Sequence, residues 1–105
     1  MKLFLKRNGK YDAVADYDFG TGVFTVLKGS IVSDNISNAL TFKGANSVEA
    51  TRASYVKNQK VIQDVVFKSS STAGNFVTGN STNGPSSWQD ETGKKLKEIL
   101  SEMMG

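Results

Sequence analysis

Residues Phe67–Trp88 read FKSSSTAGNFVTGNSTNGPSSW, a run of small polar residues around a few apolar ones. A serine hydroxyl can accept a hydrogen bond from a free backbone N–H at the start of a helix, and we expect Ser70 or Ser71 to cap one here. Gly79 stands where this helix would end, because glycine readily adopts the left-handed conformation of a helix C-terminus. The run therefore predicts a short helix with a cap at each end.

Two features are expected to hold the short helix against a core. Its apolar residues share one helical face and predict a buried stripe: Ala73, Phe76 and Val77. Downstream, Asn83-Gly84 predicts a turn that leads to Trp88, the one tryptophan of the sequence. Trp88 is either a core residue or a surface on which a nucleic-acid base stacks, and of the two we expect the core.

Three β-strands are expected before this region, because apolar, β-branched and aromatic residues recur there between turn signals. They are Lys2–Lys6, Tyr11–Tyr17 and Val23–Lys28. Asn8-Gly9 lies between the first two and is a strong signal for a hairpin turn. The three strands predict an antiparallel meander.

Two further helices complete the pattern. Val48–Asn58 follows a capping-box spacing at Asn46 and Glu49, and Lys94–Met104 carries an apolar stripe at helical spacing. Val61–Phe67 reads as one strand or as two short extended pieces. We predict that the whole 105-residue chain forms a single α+β domain. It would have one antiparallel sheet of three to five strands and two or three helices packed mainly on one face.

The composition excludes several kinds of catalytic site. The sequence has no cysteine and no histidine, which excludes Cys–His and Ser–His triads as well as thiolate and imidazole metal sites. The ten carboxylates show no spacing typical of metal binding or acid–base chemistry. We therefore expect a protein that is not an enzyme, with no catalytic residue, no metal and no cofactor.

The sequence shows no segment suited to a membrane. No apolar run approaches the roughly 20 residues that span a bilayer. The apolar part of Met1–Arg7 is three residues long, which is short for an export signal. We expect a cytoplasmic protein with no membrane partner.

Basic residues are concentrated near the N-terminus. The net charge is +3, and four basic residues precede the first acidic one, Asp12: Lys2, Lys6, Arg7 and Lys10. A basic edge can attract an acidic partner such as nucleic acid. Alternatively, the lysines protect an edge strand from aggregation. A charge of +3 is small for a dedicated DNA-binding domain, which favours the second interpretation.

The start of the predicted helix is a candidate phosphate site. Backbone N–H groups at a helix N-terminus attract anions, and Lys68, Ser69, Ser70, Ser71 and Thr72 surround them. The alternative, which we favour, is simple N-capping, although a cap needs one hydroxyl and four are present. A Ser71–Lys68 pair is the arrangement that a hydrolase would need, an interpretation with little support.

Two other positions are candidate phosphate contacts. Lys28 and Ser30 flank Gly29 and could touch a nucleic-acid backbone, or Gly29 could mark a bulge that leaves Lys28 in solvent. Arg52 lies on the apolar face of its predicted helix and reaches either a phosphate or an internal carboxylate. We favour the bulge and the internal carboxylate. The candidate carboxylates are Asp16, Asp18 and Asp64.

The order of these motifs resembles the DUF4357 family, a small bacterial domain of unknown function. The resemblance spans roughly residues 12 to 100. It rests on Gly22–Ser30, Arg52, Phe67, Ser69, Ser71, Ala73, Phe76–Gly79, Asn83-Gly84, Trp88, Gly93 and Leu96. In that family the domain often lies C-terminal to GIY-YIG nuclease-type domains or occurs in restriction–modification proteins. The resemblance therefore implies work beside a DNA-processing enzyme.

Two functions from different classes follow. The first is an accessory module that contacts DNA phosphates with little base readout. Its candidate binding residues are Lys28, Ser30, Arg52, Lys68, Ser69, Ser71, Asn83, Gly84 and Trp88. The second is a module that docks onto a partner protein through exposed apolar residues, either Leu3–Leu5 or Met103 with Met104.

Overall fold

A four-stranded antiparallel sheet carries helices on one of its faces. The structure is a computed structural model that describes residues 1–104. The strands are β1 (Lys2–Arg7), β2 (Tyr11–Tyr17), β3 (Phe24–Val26), β4 (Val56–Lys57), β5 (Lys60–Val61) and β6 (Val65–Phe67). The helices are α1 (Ala45–Tyr55), α2 (Ser70–Thr78), α3 (Gly84–Ser87) and α4 (Leu96–Met104). The sheet has the order β1-β2-β3-β6, and β4 and β5 form a separate hairpin.

The two faces of the sheet differ because side chains alternate along each strand. One face supplies core residues: Leu3, Leu5, Ala13, Ala15, Phe24, Val26 and Val65. The other face carries exposed residues such as Lys2, Asp16 and Val66. The α+β prediction is therefore confirmed, with four helices in the described part of the chain where two or three were expected.

The strand predictions hold best where the alternation is strongest. β2 matches its predicted bounds, whereas β3 is three residues long instead of the predicted Val23–Lys28. Of the two interpretations of Val61–Phe67, the two-piece one is correct. The pieces are separated at Asp64, whose carboxylate accepts a hydrogen bond from the Lys28 backbone N–H at 2.8 Å.

The first helix differs from its prediction at both ends. Gly44 occupies the N-cap position without a side-chain hydrogen bond, so the predicted cap by Asn46 is wrong. The helix ends at Tyr55 because the chain then turns into the β4–β5 hairpin. Asn58 and Gln59 form that turn with φ of 52° and 65°, the left-handed pair that a tight hairpin requires.

The short helix α2 ends where predicted but has a different N-cap. Ser69, rather than Ser70 or Ser71, occupies the N-cap, and its hydroxyl accepts from the Thr72 backbone N–H at 3.1 Å. At the other end Gly79 has φ of 71° and donates to the Asn75 carbonyl at 2.9 Å, as predicted.

The segment after α2 is a helix where a turn was predicted. Asn83 caps α3, its side chain accepting from the Ser86 N–H at 3.2 Å. Pro85 fits the first turn of α3, where a missing N–H costs nothing. The chain then runs through Trp88 to α4, which begins at Leu96, later than the predicted Lys94.

Aromatic rings fill the space between the sheet and the helices. Trp88 is fully buried, as expected, and its ring centre lies 5.3 Å from that of Phe24. Phe67 of β6 and Phe76 of α2 lie 5.1 Å apart in the same way. These tilted contacts fix α2 and the Trp88 segment on the core face of the sheet.

Candidate functional site

The hydroxyl groups at the N-terminus of α2 make hydrogen bonds within the helix start itself. The Ser69 hydroxyl caps the helix and lies 2.7 Å from the Thr72 hydroxyl. The Thr72 hydroxyl in turn donates to the Ser69 carbonyl at 3.0 Å. This closed set of bonds is the simple N-capping that the sequence also allowed.

The next two serines join α2 to α3. The Ser71 hydroxyl accepts from the Gly84 N–H at 3.0 Å, and the Ser70 carbonyl accepts from the Trp88 indole N–H at 2.9 Å. A Cβ placed on Gly84 would lie 2.3 Å from the Ser70 carbonyl carbon. Packing between helices therefore accounts for Ser71, Gly84 and Trp88, three residues predicted to bind phosphate or a base.

The remaining predicted phosphate contacts do not all lie on one surface with these serines. Ser30 is buried, and its hydroxyl is bonded to the Val14 backbone N–H and C=O at 3.0 and 3.3 Å. Lys28 and Lys68 are exposed but lie beyond opposite ends of the β3–β6 ladder. Strand rise puts them about 15 Å apart. The single face predicted from the sequence is therefore not formed.

Arg52 makes internal hydrogen bonds, but its predicted carboxylate partners are wrong. Its guanidinium donates to the carbonyl oxygens of Phe76, Ser33 and Val77 and to the Ser33 hydroxyl. Partial burial of the side chain lowers the pKa of Arg52 below its ordinary value. All of its hydrogen bonds go to neutral oxygens, and Arg52 is thus a structural cation.

A different feature of the surface has the character of a binding site. Two adjoining cavities of about 410 and 400 Å³ share Tyr11 and Thr78 in their walls. The first is also lined by Arg7, Gly9, Lys10, Ser33, Asp34, Asn35 and Asn80. The second is also lined by Leu5, Lys6, Ser81, Thr82, Asn83, Ser87 and Gln89. We call the two together the basic groove.

The two banks of the basic groove have different chemistry. Lys6, Arg7 and Lys10, on β1 and the turn that follows it, supply positive charge. Lys6 has an acidic neighbour, Asp12, but their 3.9 Å contact is between exposed side chains and is weak. Among residues 1–104, Asp34 is the one acidic residue that lines either cavity. The basic bank therefore attracts anions.

The opposite bank runs from Thr78 to Asn83 and offers hydroxyl and amide groups. It is held in place from within, since the Thr78 and Thr82 hydroxyls lie 2.8 Å apart. The Asn75 side chain also accepts from the Thr82 N–H at 2.8 Å. Gly79, in the turn that starts this bank, packs against Asn35, where an added Cβ would lie 2.2 Å from the backbone oxygen. The polar bank is therefore a fixed surface.

The sequence indicates each bank of the basic groove, but it does not show that the two banks lie side by side. The run Lys2–Lys10 predicts a basic edge and Asn83 is a predicted binding residue, yet some 70 residues separate them. Pairing of β1 with β2 and the helix end at Gly79 bring them together. Of the predicted binding residues, Asn83 alone lines the basic groove.

Within residues 1–104 no three acidic side chains come together as a possible metal site. Each helix in the same range is too short or too polar to cross a bilayer.

Comparison with known families settles the classification. The sequence profile of a family described as a domain of unknown function, DUF4357, matches residues 3–100. The chain belongs to the DUF4357 family. No curated protein and no solved structure matches it. The matched residues of this DUF4357 domain include both banks of the basic groove and the joint between α2 and α3.

Proposed function

We propose that this DUF4357 domain is a non-enzymatic accessory module that binds the nucleic-acid backbone in the basic groove. The observation that carries the proposal is the pairing of three cations with a fixed bank of hydroxyl and amide groups. Arginine, lysine, serine, threonine and asparagine side chains supply most protein contacts to phosphate and sugar. Both kinds of group face one surface here.

Few groups in the groove are suited to stacking on a base. Tyr11 is half-buried where the two cavities meet, and Trp88, the other candidate for stacking, is buried in the core. We therefore propose contact with phosphates and little sequence preference. A module of this kind would hold DNA for a nuclease or DNA-modification enzyme, and we place it in the cytoplasm.

A hydrolase has no support at the residues that the sequence offered for it. The Ser71 hydroxyl accepts from Gly84, and within residues 1–104 it makes no bond to Lys68. A serine nucleophile needs an adjacent base. The Ser71–Lys68 arrangement is thus dropped.

The alternative proposal is a docking module for a partner protein. Leu3 and Leu5 are buried in the core, whereas Phe4 is half-buried, so the first predicted apolar source is reduced to Phe4. Met103 and Met104 are 60% and 89% exposed at the end of α4. Exposed methionines suit adaptable protein contacts, and they keep this alternative open.

A backbone NMR titration with short duplex and single-stranded DNA at low salt tests the first proposal. We expect shifts at Arg7, Lys10, Tyr11 and Asn80, with α4 unaffected. Shifts confined to Ser69 and Ser70 would show that DNA binds at the N-terminus of α2, which would contradict binding in the basic groove. An unchanged spectrum would contradict nucleic-acid binding altogether.

A further inference from the structure

The strand β6 is an open edge of the sheet. Its register with β3 pairs Val26 with Val65, Thr25 with Val66 and Phe24 with Phe67. In the order β1-β2-β3-β6, no strand of residues 1–104 pairs with the outer side of β6. An open edge offers unpaired backbone groups to another strand.

The direction of those groups follows from the hydrogen bonds of β3. The Leu27 N–H donates to the Val14 carbonyl of β2 at 2.9 Å. Because backbone groups alternate in direction along a strand, the N–H and C=O groups of Phe24 and Val26 point toward β6. The N–H and C=O of Val66 therefore point away from β3. Within residues 1–104 they make no backbone hydrogen bond. The Val66 side chain is 65% exposed on the open face of the sheet.

We propose that β6 pairs antiparallel with β6 of a second copy of this chain, about a two-fold axis at Val66. Val66 lies opposite Val66 of the second copy, and Asp64 lies opposite Lys68. In such a pairing the two Val66 residues exchange two backbone hydrogen bonds. It joins the two sheets into one of eight strands.

Charge complementarity favours a second copy of this chain as the partner of the open β6 edge. Asp64 and Lys68 lie two residues on either side of Val66 and have opposite charges. A two-fold axis therefore brings each acid to the other chain's base, twice in one interface. Asp64 uses one carboxylate oxygen to accept from the Lys28 N–H, and its second oxygen remains available. The β-branched and aromatic residues of Val65–Phe67 also suit a strand interface.

The dimer and the proposed nucleic-acid site do not compete for surface. The basic groove lies beside β1, at the opposite edge of the sheet from β6. A dimer through β6 thus presents two grooves at the outer ends of the extended sheet. The dimer inference does not depend on nucleic-acid binding.

Analytical ultracentrifugation of the full chain over a range of concentrations tests the proposal. We expect a monomer–dimer equilibrium with a dissociation constant on the order of 0.1 mM, since the paired segment is short. Val66→Pro removes the outward N–H without touching a bond to β3, and it should weaken the dimer at least ~10-fold. Val66→Thr keeps the N–H and should stay within about threefold of the wild type.

A charge swap tests the register. Lys68→Glu sets an acid against Asp64 of the second copy and should weaken the dimer about 10-fold. Adding Asp64→Asn removes the repulsion while it keeps an oxygen for the Lys28 N–H, and it should recover part of the loss.

Amide exchange gives an independent readout. The Val66 amide should become protected as concentration rises, while the neighbouring amides bonded to β3 are protected throughout. A chain that stays monomeric near 1 mM, as it would if a partner protein's strand filled this edge, would overturn the proposal. So would a dimer that Val66→Pro leaves intact.

Discussion

Arg52 donates from both Nε and Nη2 to the carbonyl oxygen of Phe76, at 3.0 and 2.8 Å. Phe76 lies in the last turn of α2, where carbonyl groups have no partner within the helix. That turn contains no basic residue of its own. Arg52 of α1 therefore supplies the positive charge that a helix C-terminus attracts. This contact fastens α1 to α2.

Arg52→Met should lower the free energy of unfolding by about 3 kcal/mol, because it leaves several carbonyl oxygens without a donor. Arg52→Lys should recover less than half of the loss, since one ammonium group lacks the forked geometry that reaches Phe76 and Ser33 together. Urea denaturation measures both. A stable Arg52→Met variant with weakened DNA binding would instead mean that Arg52 reaches outward.

Gly84→Ala should destabilise the fold by about 3 kcal/mol, because the new methyl group meets the backbone of Ser70. Gly20→Ala is the control. There a Cβ would lie 3.2 Å from the flexible Asp18 side chain, and the cost should stay below about 1 kcal/mol. Thermal unfolding followed by the fluorescence of Trp88 compares the two. Equal stability of the two variants would show that α2 and α3 are not closely packed.

Ser69→Ala and Ser71→Ala separate structural roles from phosphate binding. Each should cost about 1 kcal/mol, the first by loss of the α2 cap and the second by leaving the Gly84 N–H without its acceptor. Neither should change DNA affinity under conditions in which the protein is folded. If either variant kept its stability and lost much of its DNA affinity, the nucleic-acid site would instead lie at the N-terminus of α2.

Asp90 should contribute to stability at neutral pH and lose that contribution in acid. The Thr92 hydroxyl, at 2.6 Å from its carboxylate, lowers the pKa of Asp90, and the backbone N–H groups of Lys94 and Thr92 act in the same direction. The folded pKa therefore lies below the unfolded value of about 3.9. The stabilisation is present above that value and is lost as pH falls through the folded pKa.

Asp90→Ala tests this dependence by urea denaturation at pH 7 and near pH 3. The variant should be less stable than the wild type at pH 7, and the difference should shrink in acid. A difference that stays constant between the two pH values would show that the Asp90 contribution does not depend on its charge.

The sequence predicted the parts of the fold that local chemistry determines. The alternation of Tyr11–Tyr17, the glycine at the end of α2 and the burial of Trp88 were each readable without tertiary contacts. The β4–β5 hairpin was missed because Asn58 and Gln59 adopt positive φ without a glycine. The cap of α1 was missed because the Asn46–Glu49 spacing puts the N-cap at Asn46, whereas the helix starts after Gly44.

The candidate site was harder to predict, for a physical reason. The serines of α2 have the chemistry of a phosphate site, but the fold uses the hydroxyls of Ser69 and Ser71 for backbone donors. Whether a hydroxyl faces solvent or another segment depends on contacts distant in sequence. The basic groove depends on such contacts as well, since Arg7 and Asn83 line adjoining cavities although they are distant in sequence.

The salt dependence of DNA binding tests the central claim, that the basic groove holds the nucleic-acid backbone. With three cations in contact, the logarithm of the association constant for duplex DNA should fall against the logarithm of salt concentration with a slope of about −3. Arg7→Gln with Lys10→Gln should bring the slope to about −1. Lys57→Gln with Lys97→Gln removes equal charge outside the groove and should leave the slope unchanged. Equal slopes for the two double variants, or a flat wild-type response, would contradict the claim.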